Sequence, residues 1–263
     1  MEVDVFDLQG NSVGKVKLPN VFGEKVRKDL ILRAVLSTQS KKRQPYGTNP
    51  MAGKRTPAHY HGKRRYRWTM MGREMARMPR LHGKLSPHLM WRARFAPQVK
   101  GGRSAHPPKL EKVWIQKMNK KERKKAIRSA IAATAKKELV SKRGHKFAAK
   151  ELPIVVEDKM QGLKKTKEVR DVLNKIGLEK ELKRIKKKKI RAGKGKRRGR
   201  RYKRKVGPLI VIEKDKGIGK AVKNLSGVNV CRAKNLSVEY LAPGAMSGRL
   251  TIFTKSAIEK LGA

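Results

Sequence analysis

Negative charge is what this sequence is short of. Twenty Asp and Glu stand against 70 Lys and Arg in 263 residues, a formal net charge of +50. A compact chain with that balance strains against its own repulsion unless a polyanion neutralises it. Cysteine is nearly absent. Cys231 is the only one, which excludes an intramolecular disulfide and fits a reducing compartment. No run of ~20 apolar residues exists, and the basic stretches are not cleanly amphipathic. A membrane is therefore a poor candidate for the missing anion. The opening MEVDVFDLQG has neither the basic start nor the apolar stretch of a secretory signal, so a cytoplasmic location is expected. Hydrophobic residues make up 38%, below the usual globular share, so part of the chain is expected to build no core. Nucleic acid is the polyanion that remains, because neutralising phosphates releases counterions and gives affinity without sequence readout.

What is present divides by composition. Val3, Val5 and Leu8, then Val13, Val16 and Leu18, alternate around Gly10-Asn11 and predict a β-hairpin. Residues 26–36 carry helical spacing, with Val26, Leu30, Ile31, Ala34 and Val35 on one face. From Lys41 to Pro108 the pattern is lost. Seventeen Lys and Arg meet one acid there, Glu74, alongside eight of the twelve prolines and five of the six histidines. An aperiodic stretch this long is either disordered or functional. Asn119 with Glu122 reads as a helix start close to a capping box. Ile127, Ala130, Ile131, Thr134 and Leu139 continue the apolar face of that helix to a stop at Gly144. LPIVVED (152–158) reads as a buried strand and TKEVRDVLNKI (166–176) as a helix. From Lys183 to Lys205 there are sixteen basic residues and no acid. Strand-like PLIVIE (208–213), VNVCRA (228–233) and RLTIFT (249–254) then alternate with helix-like 217–225, a short turn within 235–242 and 256–263. The expected fold is α/β, with a mainly parallel sheet and helices on both faces. The expected domains are a core of 1–40 and 109–263, an inserted loop at 41–108, and a basic insertion at 183–205 within the core.

Enzymatic readings find little to hold. GIGK (217–220) sits where a phosphate loop would, but Ala221 follows the lysine and no GxxxxGK[ST] is formed, so a tight strand-to-helix turn accounts for the glycines. Cys231 lies within an apolar strand and is expected to be core. His59, His61, His82, His88 and His106 crowd one segment, yet without cysteine, HExxH or an ordered spacing they predict no metal site. Glu157-Asp158 and Glu213-x-Asp215 read better as helix N-terminal acids than as catalytic pairs. No cofactor and no small-molecule substrate is expected.

The stretch HYHGKRRYRWTMMGREMARMPRLHGK (59–84) is different from a bare charge run. Its cations are mainly arginines, which fork onto phosphate and stack on bases. Tyr60, Tyr66, Trp68 and Trp91 can stack on unpaired bases. In 183–205, Gly193, Gly195 and Gly199 break any helix and let backbone approach phosphates. The candidate RNA-binding residues are Arg43, Lys54, Arg55, Lys63, Arg64, Arg65, Tyr66, Arg67, Trp68, Arg73, Arg77, Arg80, Trp91, Arg92, Arg94, Lys100 and Arg103 in the first segment. In the second they are Lys194, Lys196, Arg197, Arg198, Arg200, Arg201, Lys203 and Arg204.

Several blocks resemble one family. LPNVFGEKVRKDLILRAV, RTPAHYHG, APQVKGGRSAHPPK, NKKERKKAIRSAIAAT, GKGKRRGRRYKRK and EYLAPGAMSGRLTIFTKSAIEKL are similar to the L-four family of large-subunit ribosomal proteins, in its archaeal and eukaryotic form. The blocks run nearly the whole chain. The resemblance implies a Rossmann-like globular domain on large-subunit rRNA and a long extended loop, here 41–108, reaching the wall of the peptide exit tunnel. Each arm of such a hairpin can span at most ~3.3 Å per residue. The implied partners are large-subunit rRNA and neighbouring ribosomal proteins, including the other tunnel-lining protein, and the implied role is structural, not enzymatic.

Overall fold

The computed structural model describes residues 1–149 and 151–262. They form two compact units, Met1–Lys42 together with Ile115–Ala263, and Arg43–Trp114. The second boundary lies beyond the change of composition at Pro108.

The first unit opens with β1 (Glu2–Phe6) and β2 (Ser12–Lys17), an antiparallel hairpin with Val3 opposite Val16. Helix α1 (Lys28–Lys41) buries Leu30, Ile31, Ala34 and Val35, and Asp29 in its first turn suits the positive end of the helix dipole. Val26 stays ahead of the helix, half-buried against the core. Helix α2 (Lys120–Ala135) starts after Asn119, but Asn119 makes no side-chain capping bond. The expected capping box does not form, because the Glu122 carboxylate is taken by Arg33 of α1 at 2.6 Å. The helix also ends earlier than its pattern suggests. Lys136 turns to an extended ψ of 106°, and α3 (Lys137–Lys142) begins afresh before Gly144.

Strand β3 (Ile154–Val156) is followed by α4 (Thr166–Leu173). Gly177 interrupts this helix at φ 85°, and α5 (Glu179–Lys186) resumes it. Lys183–Lys186 thus belong to a core helix and not to the basic insertion, and Ile185 is buried among core residues. The insertion itself is a small hairpin of β4 (Lys189–Ile190) and β5 (Tyr202–Lys203). Then come β6 (Leu209–Ile212), α6 (Ile218–Lys223), β7 (Asn229–Arg232), α7 (Val238–Leu241), β8 (Thr251–Thr254) and α8 (Lys255–Gly262).

The main sheet has the order β2-β1-β3-β8-β6-β7, and every pairing except β1–β2 is parallel. The alternating side chains of the central strands feed two cores. Val155, Leu209, Val211 and Phe253 meet residues of α1, α2, α7 and α8. Ile154, Ile210, Ile212 and Ile252 meet α4 and α6 on the other face. Coverage on both faces explains why these strands read as unbroken apolar runs. Each fully buried Ile contributes about 1.5–3 kcal/mol, so this doubly covered sheet is the main source of stability in a unit whose surface charges repel.

The second unit has no strand longer than an isolated bridge, His59–Arg80 or Arg80–Ala93, and one short helical turn at Pro87–Leu89. It is nevertheless packed. Met70, Leu81 and His61 are buried. Its two arms run close together: Thr48 N–H donates to the Pro108 carbonyl at 3.2 Å, and a Cβ added at Gly53 would sit 2.7 Å from Arg103 Cα.

Candidate nucleic-acid interface

Two cationic surfaces stand out, one on each unit. Among the described residues, no Lys or Arg of 43–114 or 187–205 is paired with a carboxylate. The carboxylates that do form ion pairs all lie on the rest of the first unit.

On that unit the surface is the hairpin after α5. Its tip is shaped by its own backbone. Arg191 N–H donates to Arg201 O at 2.8 Å and Arg200 N–H to Gly195 O at 3.1 Å. Lys194, Lys196, Arg197, Arg198, Arg200, Arg201, Lys203 and Arg204 are all exposed. With their charged ends in solvent and no anion nearby, they form a bare field for phosphate.

The root of this hairpin is fixed by buried charge. Glu181 is fully buried and accepts from Arg184 Nη2 at 2.6 Å, Arg184 Nε at 2.7 Å, His145 Nδ1 at 2.7 Å and Lys146 N–H at 3.0 Å. Burial works to raise its pKa, but the bonds from Arg184, His145 and the Lys146 N–H outweigh burial and hold it at about 2. Burial pushes His145 below its ordinary value, so the imidazole is neutral at pH 7. Arg184 Nη2 also donates to Val206 O at 2.7 Å, tying the returning strand to α5. Arg249 is buried beside it and donates to Gly207 O at 2.8 Å, Tyr240 O at 2.8 Å and Asn229 Oδ1 at 2.6 Å. Burial, and then nearby Arg143, bring its pKa down to about 10, which leaves it charged. Gly227, at φ +75°, lets the chain pass this close: a Cβ there would lie 2.5 Å from Ile185 Cγ2 and 2.7 Å from Lys205 O.

On the second unit, Arg43, Lys54, Arg55, Lys63, Arg64, Arg65, Tyr66, Arg67, Arg73, Arg77 and Lys100 are exposed, while Trp68, Arg80, Trp91, Arg92, Arg94 and Arg103 are half-buried. Some of the half-buried arginines brace the unit. Arg80 Nη1 donates to Trp91 O and its Nη2 to Ala76 O, both at 2.8 Å, and Arg94 Nη1 donates to Lys100 O at 2.9 Å. Trp68 and Trp91 are brought to within 5.9 Å of each other, with Arg67 and Arg73 each 5.1 Å from an indole. Trp91 holds φ 61°, a left-handed conformation that costs a non-glycine residue of order 1–3 kcal/mol.

Three aromatic residues escaped the sequence reading. Trp114 stacks on Tyr46 at 5.4 Å, with the Arg43 guanidinium 3.9 Å from its ring, and its Nε1 is buried with no acceptor among the described residues. Tyr202 carries Lys188 and Arg201 at 5.6 and 5.9 Å. Tyr202 was findable, since it interleaves with arginines as Tyr66 does. Trp114 was not, because its partners lie at the far end of the insert. The GIGK turn offers nothing to phosphate: the Gly217 and Gly219 N–H groups donate to Asp215 Oδ1 at 3.0 and 3.2 Å. Cys231 is buried in β7, as expected. No helix is long and apolar enough to cross a membrane among the described residues.

Comparison with known proteins gives this cationic architecture a lineage. The sequence model of the ribosomal protein L4/L1 family matches residues 16–263. The chain is 50% identical to the large ribosomal subunit protein uL4 of Nanoarchaeum equitans, covering 99% of this chain and 97% of that one. It is 46% identical to the uL4 of Methanosphaera stadtmanae, over 99% and 96% of the two chains. For the uL4 of Archaeoglobus fulgidus the identity is 47%, over 100% and 98%. At this identity over essentially full length, the chain belongs to the ribosomal protein L4/L1 family.

Proposed function

We propose that this protein is a structural constituent of the large ribosomal subunit, binding large-subunit rRNA through both units and supporting subunit assembly and translation in the cytoplasm. The observation that carries this is the complete lack of carboxylate partners for the cations of 43–114 and 187–205 among the described residues. Those surfaces are finished only by an external polyanion, and the relatives bear the name of large-subunit proteins.

In this reading the Rossmann-like first unit sits on rRNA. Its hairpin, with Lys194, Lys196, Arg197, Arg198, Arg200, Arg201, Lys203 and Arg204, clamps a second RNA element. The segment 41–108 is the extended loop that passes through RNA toward the exit-tunnel wall and abuts the other tunnel-lining protein. Arg64, Arg65, Arg67, Arg73, Arg77, Arg92 and Arg103 meet phosphates and bases, while Trp68 and Trp91 stack. The unpartnered Trp114 Nε1 donates to an RNA acceptor. The mechanism is charge neutralisation and shape-matched insertion, with no reaction catalysed.

The test is gradient sedimentation of a native lysate after a high-salt wash, following this chain by mass spectrometry. Retention in the large subunit is expected, because buried contacts outlast screening. Release to light fractions would leave only a peripheral electrostatic association and would overturn the proposal.

A further inference from the structure

Three of the five histidines of the second unit converge although nothing in their spacing announces it. His59, His61 and His82 present ring nitrogens that all lie within 4.8 Å of one another. The Arg80 N–H bond to the His59 carbonyl, 3.0 Å, brings the two passes of chain together. Ring centroids are then 4.1 Å (His59–His61), 4.7 Å (His59–His82) and 4.4 Å (His61–His82) apart. Trp68 and Trp91 wall one side, each 5.6 Å from one of the imidazoles. His61 is buried, His82 half-buried and His59 exposed, so the cluster opens to solvent on the side of His59.

The hydrogen bonds decide which nitrogens carry protons. His59 Nδ1 lies 3.2 Å from the Pro57 carbonyl, and His61 Nε2 lies 3.3 Å from the Arg80 carbonyl. A carbonyl only accepts, so both of these nitrogens are donors. In the neutral rings that leaves lone pairs on His59 Nε2 and His61 Nδ1. Orientation of an imidazole by a carbonyl on its other nitrogen is how metal-ligating histidines are held. His59 Nε2 and His82 Nε2 are 3.1 Å apart. His82 Nε2–H donates to the His59 Nε2 lone pair across that distance, and a metal ion that displaced this one proton would find both nitrogens facing it. Zinc–nitrogen bonds of about 2.0–2.1 Å place tetrahedral ligands about 3.3 Å apart, close to the separation already present.

We propose that His59, His61 and His82 bind one divalent transition-metal ion of the zinc class, with the fourth position left to a solvent or phosphate oxygen. Three neutral imidazoles suit such an ion better than a hard cation such as magnesium. The ion ties residue 59–61 to residue 80–82 and so orders the arginine-rich turn between them before it meets its target. Neighbouring guanidiniums oppose a cation in the free chain, and surrounding phosphate relieves that opposition.

The test therefore uses two forms of the protein. Full-length chain is titrated with cobalt(II), then with zinc. One saturable equivalent is expected, with the visible absorption of a tetrahedral cobalt site that zinc abolishes. Zinc is also counted in purified large subunits carrying the wild-type chain or the variant His59→Ala/His61→Ala/His82→Ala, and the variant is expected to hold one ion fewer per particle. His82→Gln, which keeps a side chain of similar reach, is expected to lose the equivalent in the free chain even if the triple variant fails to assemble. His88→Ala/His106→Ala is expected to keep it. No saturable equivalent in either form overturns the proposal in favour of a proton-bridged histidine pair, and so does an equivalent that survives all the ligand variants.

Discussion

Replacing Glu181 by Gln is the sharpest perturbation available in the first unit. The side chain is fully buried and spends both oxygens on four donors. Glutamine keeps the volume but exchanges one acceptor for an NH2. If the amide nitrogen takes the place of Oε2, it faces Arg184 Nε and the Lys146 N–H. If it takes the place of Oε1, it faces Arg184 Nη2 and His145 Nδ1. In the first case two donors lose their acceptor, in the second His145 can offer its Nδ1 lone pair to the amide and Arg184 Nη2 alone is stranded, and either way the Arg184 guanidinium loses its anion. Breaking a buried charge pair by removing one partner costs about 3–5 kcal/mol. In a folding unit of this size each kcal/mol lowers Tm by about 2–4 °C, so the expected fall is about 6–20 °C. Far-UV circular dichroism of the full chain during heating reads it, in enough salt to screen surface repulsion. Hydrogen exchange over 187–205 should quicken in parallel, because Arg184 also holds the Val206 carbonyl. A fall of less than about 2 °C would refute the reasoning, since the network would then contribute no more than an exposed ion pair.

Three further outcomes follow from the same geometry. The Glu181 carboxyl sits at about 2 in the fold against 4.5 ordinarily, so its contribution is whole above pH 4.5 and is lost as pH falls from there toward 2. That is on the order of 3 kcal/mol. His145, held below 6.5, starts the decline earlier because the unfolded chain takes its proton first, so stability measured by urea titration should fall below pH 6.5 and more steeply below 4.5. Arg249→Leu leaves Gly207 O, Tyr240 O and Asn229 Oδ1 without this donor and should destabilise the first unit by about 3 kcal/mol or more, at about 1–3 kcal/mol for each buried acceptor left unsatisfied; Arg249→Lys should recover only part of this, because one ammonium cannot span those acceptors. Deleting 43–114 behind a short Gly/Ser linker should preserve a cooperative thermal transition, because Ser37 Oγ donates to Gln116 O at 2.7 Å and the Gln116 N–H to Ser40 Oγ at 3.0 Å, closing the junction without the insert. A broad, non-cooperative melt would contradict the independence of the first unit.

The strands were legible because burial on both faces leaves an apolar run such as IVV or LIVI with no polar interruption. The β1–β2 hairpin was legible for the opposite reason, its alternation. What escaped notice depended on distant partners. Helix α5 hides its few buried side chains among lysines, and only Glu181 and Ile185 are fully withdrawn from water. The break at Lys136 carries no glycine or proline, so no local signal marks it. Glu122 looked like a capping residue until Arg33, on another helix, claimed it. The cationic surfaces were plain from composition alone. The convergence of His59, His61 and His82 was invisible, because it depends on a bridge between segments with no periodic pattern.

The arginines at the root of the hairpin have a consequence for when the fold is most stable. Arg184, Arg143 and Arg249 stand near enough that each successive guanidinium feels the one before, and Glu181 pairs with Arg184 alone among them. Arg143 Nη1 has no acceptor among the described residues. This interior is under positive pressure that side chains of the protein do not discharge. An external polyanion that lowers the local potential stabilises the fold from outside, as any ligand of the native state does. The chain without its RNA is then the less stable form.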